Sequence, residues 1–196
     1  SLDLVFAITA ADSRYVAMKL FQKEIIDPVK AGKEPEIPDA TAEEILKQKG
    51  LRMTLEGKNV SVKCHQEFPK DAVWTPEENK DGITKVELHV TDGDQVVYVM
   101  EDGRGRHQVI AGLDHWVHGT TTMTGAYLHH QYEQDESRIS AIAYWTDEHV
   151  LTMEWRFPEM AFWDHVSLTW DGDTVKMNRW VNMNSQDVKR PTVYLK

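Results

Sequence analysis

Two periodicities divide the chain. Over residues 12–27 the apolar side chains fall at helical spacing, with Val16 and Leu20 widened into a stripe by Met18, Phe21 and Ile25. That stripe predicts an amphipathic helix, capped by Asp12 and ended at Asp27-Pro28, because the residue before a proline is pushed out of helical conformation. Ahead of it, residues 3–9 are almost continuously apolar (Leu4, Val5, Phe6, Ala7, Ile8), which predicts a strand buried on both faces. A central strand so near the start needs neighbours, so the expectation is a piece cut from a longer protein. Residues 28–41 hold three of the seven prolines among charged residues and read as a linker. Thr41 with Glu44 forms a capping box for a short helix over 42–49 that stops at Gly50.

From residue 51 the period becomes two. Leu51, Met53 and Leu55 alternate with polar residues, Gly57-Lys58-Asn59 turns the chain, and Val60, Val62 and Cys64 continue. Val86, Leu88 and Val90 lead through Asp92-Gly93-Asp94 to Val96 and Tyr98. Ile139, Ala141, Ala143 and Trp145 lead through Asp147-Glu148 to Val150, Leu151, Met153 and Trp155. Val166, Leu168 and Trp170 lead through Asp171-Gly172-Asp173 to Val175, Met177 and Arg179. Asp-Gly between alternating runs marks a hairpin, because its turn needs positive φ. Further strands are expected near 107–111, 120–128 and 192–196. The hairpins at 86–98 and 166–177 share Val-x-Leu before Asp-Gly-Asp-x-Val, which reads as the same turn chemistry reached twice. The fold class that follows is mainly β: an antiparallel up-and-down meander of about ten strands over 51–196, closing into a lipocalin-like barrel. A strand–helix segment (1–28) and a linker with a short helix (29–50) precede it.

Composition narrows the functions. Among 196 residues, 32 Asp and Glu against 22 Lys and Arg give a net charge of −10, which argues against a nucleic-acid partner. No apolar run is long enough for a membrane span, and no basic segment makes residues 3–9 a signal peptide. One cysteine, Cys64, permits neither an internal disulfide nor a cysteine zinc site. Eighteen aromatic residues (Trp 7, Tyr 6, Phe 5) supply a packed core.

The catalytic motifs searched for are missing: no Gly-x-Ser-x-Gly, no phosphate loop, no His-Glu-x-x-His, no Ser-x-x-Lys. Four of the nine histidines cluster (His115, His118, His129, His130), with Asp114 beside them. On a strand His115 and His118 face opposite sides, as do His129 and His130, so the spacing fits a metal poorly and no metal or other cofactor is expected. Asp164-His165 beside Ser167 suggests a triad, yet adjacent strand residues point apart. Trp145, Trp155 and Trp170 are the candidate lining of a cavity for a small apolar ligand, with Trp163, Phe157 and Phe162 nearby. The segment 157–163 breaks the alternation, and Phe157, Pro158, Phe162 and Trp163 are the candidate interaction surface.

Several of these residues carry a resemblance. Residues 2–10 with the helix to Pro28 resemble the last sheet strand and C-terminal helix of a class C β-lactamase or penicillin-binding-protein-like serine hydrolase. In order, Asn79-x-x-Gly82-Ile83, Gly112-Leu113-Asp114-x-Trp116, Trp145-Thr146-Asp147, Phe162-x-Asp164, Val181-Asn182-x-Asn184 and Arg190-Pro191-Thr192 resemble the β-rich region appended to bacterial members of that superfamily. The superfamily's Ser-x-x-Lys, Tyr-x-Asn and Lys-Thr-Gly or His-x-Gly motifs are absent. His118-Gly119-Thr120 matches the last only superficially, so no catalytic residue is carried over. The resemblance implies a non-catalytic C-terminal accessory domain that packs on its own upstream hydrolase domain and shapes its substrate entrance. A homodimer through the N-terminal segment is compatible with it. The competing reading is a free-standing lipocalin-like binder of a small apolar ligand.

Overall fold

The computed structural model describes residues 16–33, 40–51, 62–92, 94–123, 134–184 and 187–196. The chain divides into two units, Ser1–Leu55 and Glu56–Lys196. The expected strand at 3–9, the cap at Asp12, most of the 51–64 hairpin, and His129 and His130 lie outside the described residues.

In the first unit, α1 (Val16–Phe21) runs into a π turn (Gln22–Ile26) and α2 (Asp27–Lys30). Pro28 therefore does not stop the helix. It sits in the first turn of α2, where a missing N–H costs nothing, behind a widened turn that relieves the ladder. The stop comes at Gly32, whose φ of 70° fits a left-handed cap. Its N–H donates to the Val29 carbonyl and that of Lys33 to the Pro28 carbonyl, both at 3.0 Å. Met18, Leu20 and Ile25, expected to form a packed stripe, are 43–53% exposed. The second helix, α3 (Ala40–Leu51), starts ahead of Thr41 and passes Gly50. Thr41 is thus inside the first turn and not the cap, and Leu51 is helical and not the start of a strand. The Ala, Glu, Leu, Lys and Gln of this stretch are strong helix formers, and they extend the helix at both ends.

The second unit is a β-barrel. Its strands are β1 (Asp71–Trp74), β2 (Lys85–Val90), β3 (Gln95–Asp102), β4 (Gly105–Leu113), β5 (Val117–Thr121), β6 (Ser137–Asp147), β7 (Val150–Arg156), β8 (Trp163–Asp171), β9 (Thr174–Val181) and β10 (Val193–Leu195). They form one ten-stranded sheet, in the order β1-β2-β3-β4-β6-β7-β8-β9-β10, with β5 on β6. The meander is broken once. β4 and β6 touch only through a short parallel pairing, Gly112 with Ile142 and Leu113 with Ala143. Below that contact β5 pairs antiparallel with residues 137–141 of β6. The Thr121 hydroxyl at its end donates to the Gln108 carbonyl of β4 at 2.7 Å. Of the strand expected near 120–128, Thr120 and Thr121 end β5, and residues 124–128 lie outside the described residues.

The ring closes through β1, which the alternation did not reveal. Its own four residues pair with β2. The chain beyond turns to β10: Thr75 N–H donates to the Lys196 carbonyl at 2.8 Å, and Glu77 N–H to that of Tyr194 at 2.9 Å. Closure leaves no free edge between these strands. At the β8–β9 hairpin the expected turn is present, with Gly172 at φ 66° between Asp171 and Thr174.

Candidate functional site

Parity along the strands fixes what enters the barrel. Inward positions carry Val86 and Leu88 (β2), Val96, Tyr98 and Met100 (β3), Val109 and Ala111 (β4), Ile139, Ala141, Ala143 and Trp145 (β6), Leu151, Met153 and Trp155 (β7), Val166 and Leu168 (β8), and Val175 and Met177 (β9). Except at the short parallel β4–β6 contact these strands pair antiparallel, so inward residues such as Tyr98 and Val109, or Leu168 and Met177, meet across the ladder. Tyr98, Met153, Leu168 and Met177 are 0% exposed and Trp155 1%. A void able to hold water would leave area on its walls, so side chains fill this interior.

The three candidate tryptophans do not share one wall. Trp145 and Trp170 meet at one end around Phe68, whose ring lies 4.6 Å edge-on from Trp145 and 6.4 Å from Trp170. His65 and His149 flank Trp170, each with ring centroids 5.2 Å away. Trp170 also donates its indole N–H to the Gly172 carbonyl at 2.7 Å. Trp155 stands two inward positions beyond Leu151, beside Tyr98, at a ring separation of 6.3 Å.

Around Trp155, whose register partner across the β7–β8 ladder is the buried Asp164, some donors lack a good acceptor. Its own indole N–H is buried and has no hydrogen-bond partner among the described residues. The Tyr98 hydroxyl donates only to the Met177 thioether, at 3.2 Å. A thioether is a weak acceptor. Burial pushes this phenol up to about 12, although the charge of Arg179 pulls the other way. Arg179 shares the inward parity of Val175 and Met177. Its Nη1 lies 3.7 Å from the Met100 sulfur, and its Nε is buried without a partner.

Arg179 also donates through Nη2 to Asp81 Oδ2, while Arg190 donates through Nε (2.9 Å) and Nη2 to Asp81 Oδ1. One carboxylate thus lies between two guanidiniums. Burial works against its charge, yet Arg190 and Arg179 outweigh that and hold its carboxyl below the usual range. Asp81 is placed by a loop that Asn79 ties off. The Asn79 carboxamide accepts from Ile83 N–H at 3.0 Å and donates to the carbonyls of Glu77 and Ile83, both at 2.9 Å.

A second polar chain fastens the β3–β4 hairpin to the end of β5. Asp102 accepts from Arg104 N–H (2.8 Å) and from the Arg104 guanidinium, and it lies 3.1 Å from His107 Nε2. Burial again opposes the charge, and these donors hold the Asp102 carboxyl below its usual range. The carboxylate thereby sets the tautomer of His107, and Nδ1 accepts from the Thr122 hydroxyl at 2.9 Å. Every polar group in this chain has its partner, in contrast to the region around Trp155.

The remaining expectations fall as follows. Phe157, expected on an interaction surface, is 2% exposed and belongs to the core. The reason is a tight turn in which Phe157 N–H donates to Phe162 O at 3.2 Å and Met160 N–H to Phe157 O at 3.0 Å. Pro158 is exposed at that turn, and Phe162 packs half-buried against the core. Trp163 lies on the outer face, 4.6 Å edge-on from Trp180, with the Arg156 guanidinium 5.0 Å over its ring. Asp164 points inward, while His165 stacks outside on Trp180 at 4.6 Å, so the triad with Ser167 does not assemble. His115 bonds the Leu113 carbonyl and His118 the Ser140 hydroxyl, each at 2.8 Å. Among the described residues no three ligand-type side chains gather to hold a metal. Cys64 gives its S–H to the His65 carbonyl at 3.1 Å, and burial raises its thiol, partly offset by Lys70. Among the described residues no helix is long and apolar enough to cross a membrane.

Comparison with known proteins adds little to this. No family model matches the chain, and no curated protein does. Among solved structures it is similar to the crystal structure of fatty-acid-binding protein 1 from Echinococcus granulosus, with a TM-score of 0.42 and 13% identity, covering 64% of this chain and 95% of that one.

Proposed function

We propose that the barrel binds a small, mainly apolar molecule carrying one hydrogen-bond acceptor. The observation that carries this reading is the indole N–H of Trp155, buried to 1% exposure with no hydrogen-bond partner among the described residues. A buried donor left unmade costs roughly 1–3 kcal/mol, and a ligand carbonyl or hydroxyl oxygen would recover that. The Tyr98 hydroxyl, held only by a sulfur, is a second donor of the same kind. Met100, Met153 and Met177 belong to the same core, Met177 against the Tyr98 hydroxyl. Methionine is unbranched and changes rotamer at little cost, so these side chains can yield space in an interior that is otherwise filled. The space so gained is small, which limits the ligand to a short chain or a single ring.

The test is calorimetric titration of the full chain with 1-octanol and with octane, the second lacking an acceptor. Octanol binding that exceeds octane binding and weakens in Trp155→Phe is expected. Failure of octanol to bind or to raise the melting temperature removes the proposal.

A second reading keeps the accessory module of a serine hydrolase. The exposed Met18, Leu20 and Ile25 favour it, since three large apolar side chains on one short helical segment suit a protein surface. It predicts a Ser-x-x-Lys motif in the reading frame upstream, and a frame without one ends it.

A further inference from the structure

Resting on the reading that the interior takes a ligand, we infer that the ligand enters through the side of the barrel, at the seam between β4 and β5, and that Thr121 and Thr122 are the latch of this gate. Three observations carry the inference. First, the wall has no ladder at this seam. β3 and β4 pair without a break from Gln95–Gly112 to Asp102–Gly105, and β5 pairs with β6 along its whole length. Among the described residues no ladder joins β4 to β5, and β4 reaches β6 only at Gly112 and Leu113. Below that contact side chains span the seam. The Thr121 hydroxyl donates to the Gln108 carbonyl at 2.7 Å, and the Thr122 hydroxyl to His107 Nδ1 at 2.9 Å. The ring's other join, beside β1 and β10, is made by the main chain, with Thr75 N–H on the Lys196 carbonyl (2.8 Å) and Lys196 N–H on that of Thr75 (3.2 Å). A strand fastened by side chains moves when two hydroxyls turn, whereas a laddered strand has to give up a row of main-chain bonds.

Second, a notch stands in the wall there. Val117, Gly119 and Thr121 lie directly opposite Ala141, Ile139 and Ser137, and directly opposed residues share a face. Ile139 and Ala141 belong to the core, so Gly119 turns its empty side inward. A Cβ placed there would meet nothing within 4 Å. Gly119 is exposed, so this space is a notch open to solvent and not an internal void.

Third, the notch leads to the two donors of the candidate site. Val109 of β4 opposes Tyr98 of β3, and Ala141 of β6 opposes Trp155 of β7. Tyr98 therefore stands one strand behind the seam on one side and Trp155 two strands behind it on the other, with their rings 6.3 Å apart across the interior. Ala111, Gly119 and Ala141 on the strands between are small, so little side chain has to move once the strands part. The latch also releases on one side alone. When Thr122 lets go, His107 keeps its Asp102 partner, and the exposed Thr122 hydroxyl turns to water.

The experiment follows the Trp155 indole N–H of the full chain by nitrogen NMR during titration with 1-octanol, which yields the rates of entry and exit as well as the affinity. Wild type is compared with Thr122→Val, which removes the latch hydroxyl, and with Gly119→Leu, which fills the notch. The Gly119 backbone lies outside the left-handed region, so leucine is accepted there without strain. A gate closed in both the free and the bound state sets rates and not the equilibrium. Thr122→Val is expected to speed entry and exit alike, roughly fivefold for one lost hydrogen bond, at unchanged affinity. Gly119→Leu is expected to slow both several-fold. A purely structural role for either residue would not produce these paired and opposite changes. Octanol that binds wild type at rates neither variant moves overturns the gate and leaves the binding reading standing. Failure of octanol to bind wild type ends the binding reading and the gate with it. Should one variant fail to fold, the other decides alone.

Discussion

Tyr98→Phe tests the interior through alkali. The phenol is 0% exposed and donates only to the Met177 sulfur, and burial lifts it from 10.0 to about 12. In the unfolded chain it titrates near 10. Below pH 10 the phenol is neutral in both states, and its contribution to stability is fully present. Between pH 10 and 12 the unfolded chain ionises while the folded chain does not, so unfolding is drawn forward as pH rises. Two pH units at about 1.4 kcal/mol each give about 3 kcal/mol lost across that window. Phenylalanine has no proton to lose, so its curve lacks this component. At pH 7 the variant removes a buried hydroxyl with a poor acceptor and is expected to lie within about 1 kcal/mol of wild type. Urea unfolding at pH 7, 9, 10, 11 and 12 measures both curves, and their difference cancels the other five of the six tyrosines. The wild type should lose stability relative to the variant only above pH 10. A difference that stays flat from pH 10 to 12 refutes the argument. So does a native difference titration at 295 nm that places the Tyr98 phenol at 10.

Three further substitutions probe the frame. Gly112→Ala would set a Cβ 2.4 Å from the His115 carbonyl oxygen, so the β4–β5 connection must shift; a loss above about 2 kcal/mol in urea unfolding is expected, against near neutrality for Gly119→Ala, which has nothing within 4 Å. Met177→Ala empties a fully buried position and should cost about 2–5 kcal/mol. Asp81→Ala takes from the buried Arg179 the carboxylate it is paired with and should cost about 3–5 kcal/mol at pH 7. Because the folded Asp81 carboxyl is depressed, its contribution is present above the ordinary carboxylate range and lost as pH falls through the folded value. An acid titration of stability should therefore bring wild type and variant together.

Alternation carried most of the barrel because period two is a direct consequence of a half-buried sheet. Val86-Leu88, Ala141-Ala143-Trp145 and Leu168-Trp170 all point inward as their spacing requires. The failures have local causes. β1 is four residues long, with only Trp74 fully buried, so it offers no alternation to read. β5 is the sequence Val-His-Gly-Thr-Thr, whose partners on β6 and β4 supply the order its own residues do not. Pro28 misled because the rule against helical residues before proline assumes an unbroken α ladder, and the chain inserts a π turn.

The candidate site was legible in its parts and not in its meaning. Trp155 and Arg179 were both placed on alternating strands, and parity alone puts a cation inside a barrel at Arg179. That is the informative signal, since a charge on an inward position must find a partner or a use. What parity cannot supply is the partner. Asp81 lies 98 residues from Arg179 and 109 from Arg190, in a loop whose composition resembles any other. The tryptophans are the converse case. Aromatic size suggests a pocket wall, yet Trp145 and Trp170 spend their surface on Phe68 and on each end of the hairpins. Trp155 matters through one N–H, and no hydrophobicity pattern reports whether a donor is answered. The physical lesson concerns hydrogen-bond balance. The Asp102–His107–Thr122 chain is complete and therefore structural, whereas the Trp155 indole and Arg179 Nε have no hydrogen-bond partner among the described residues and the Tyr98 hydroxyl has a sulfur. A buried donor without a partner is a demand for an acceptor, and the binding reading stands or falls on the Trp155 N–H.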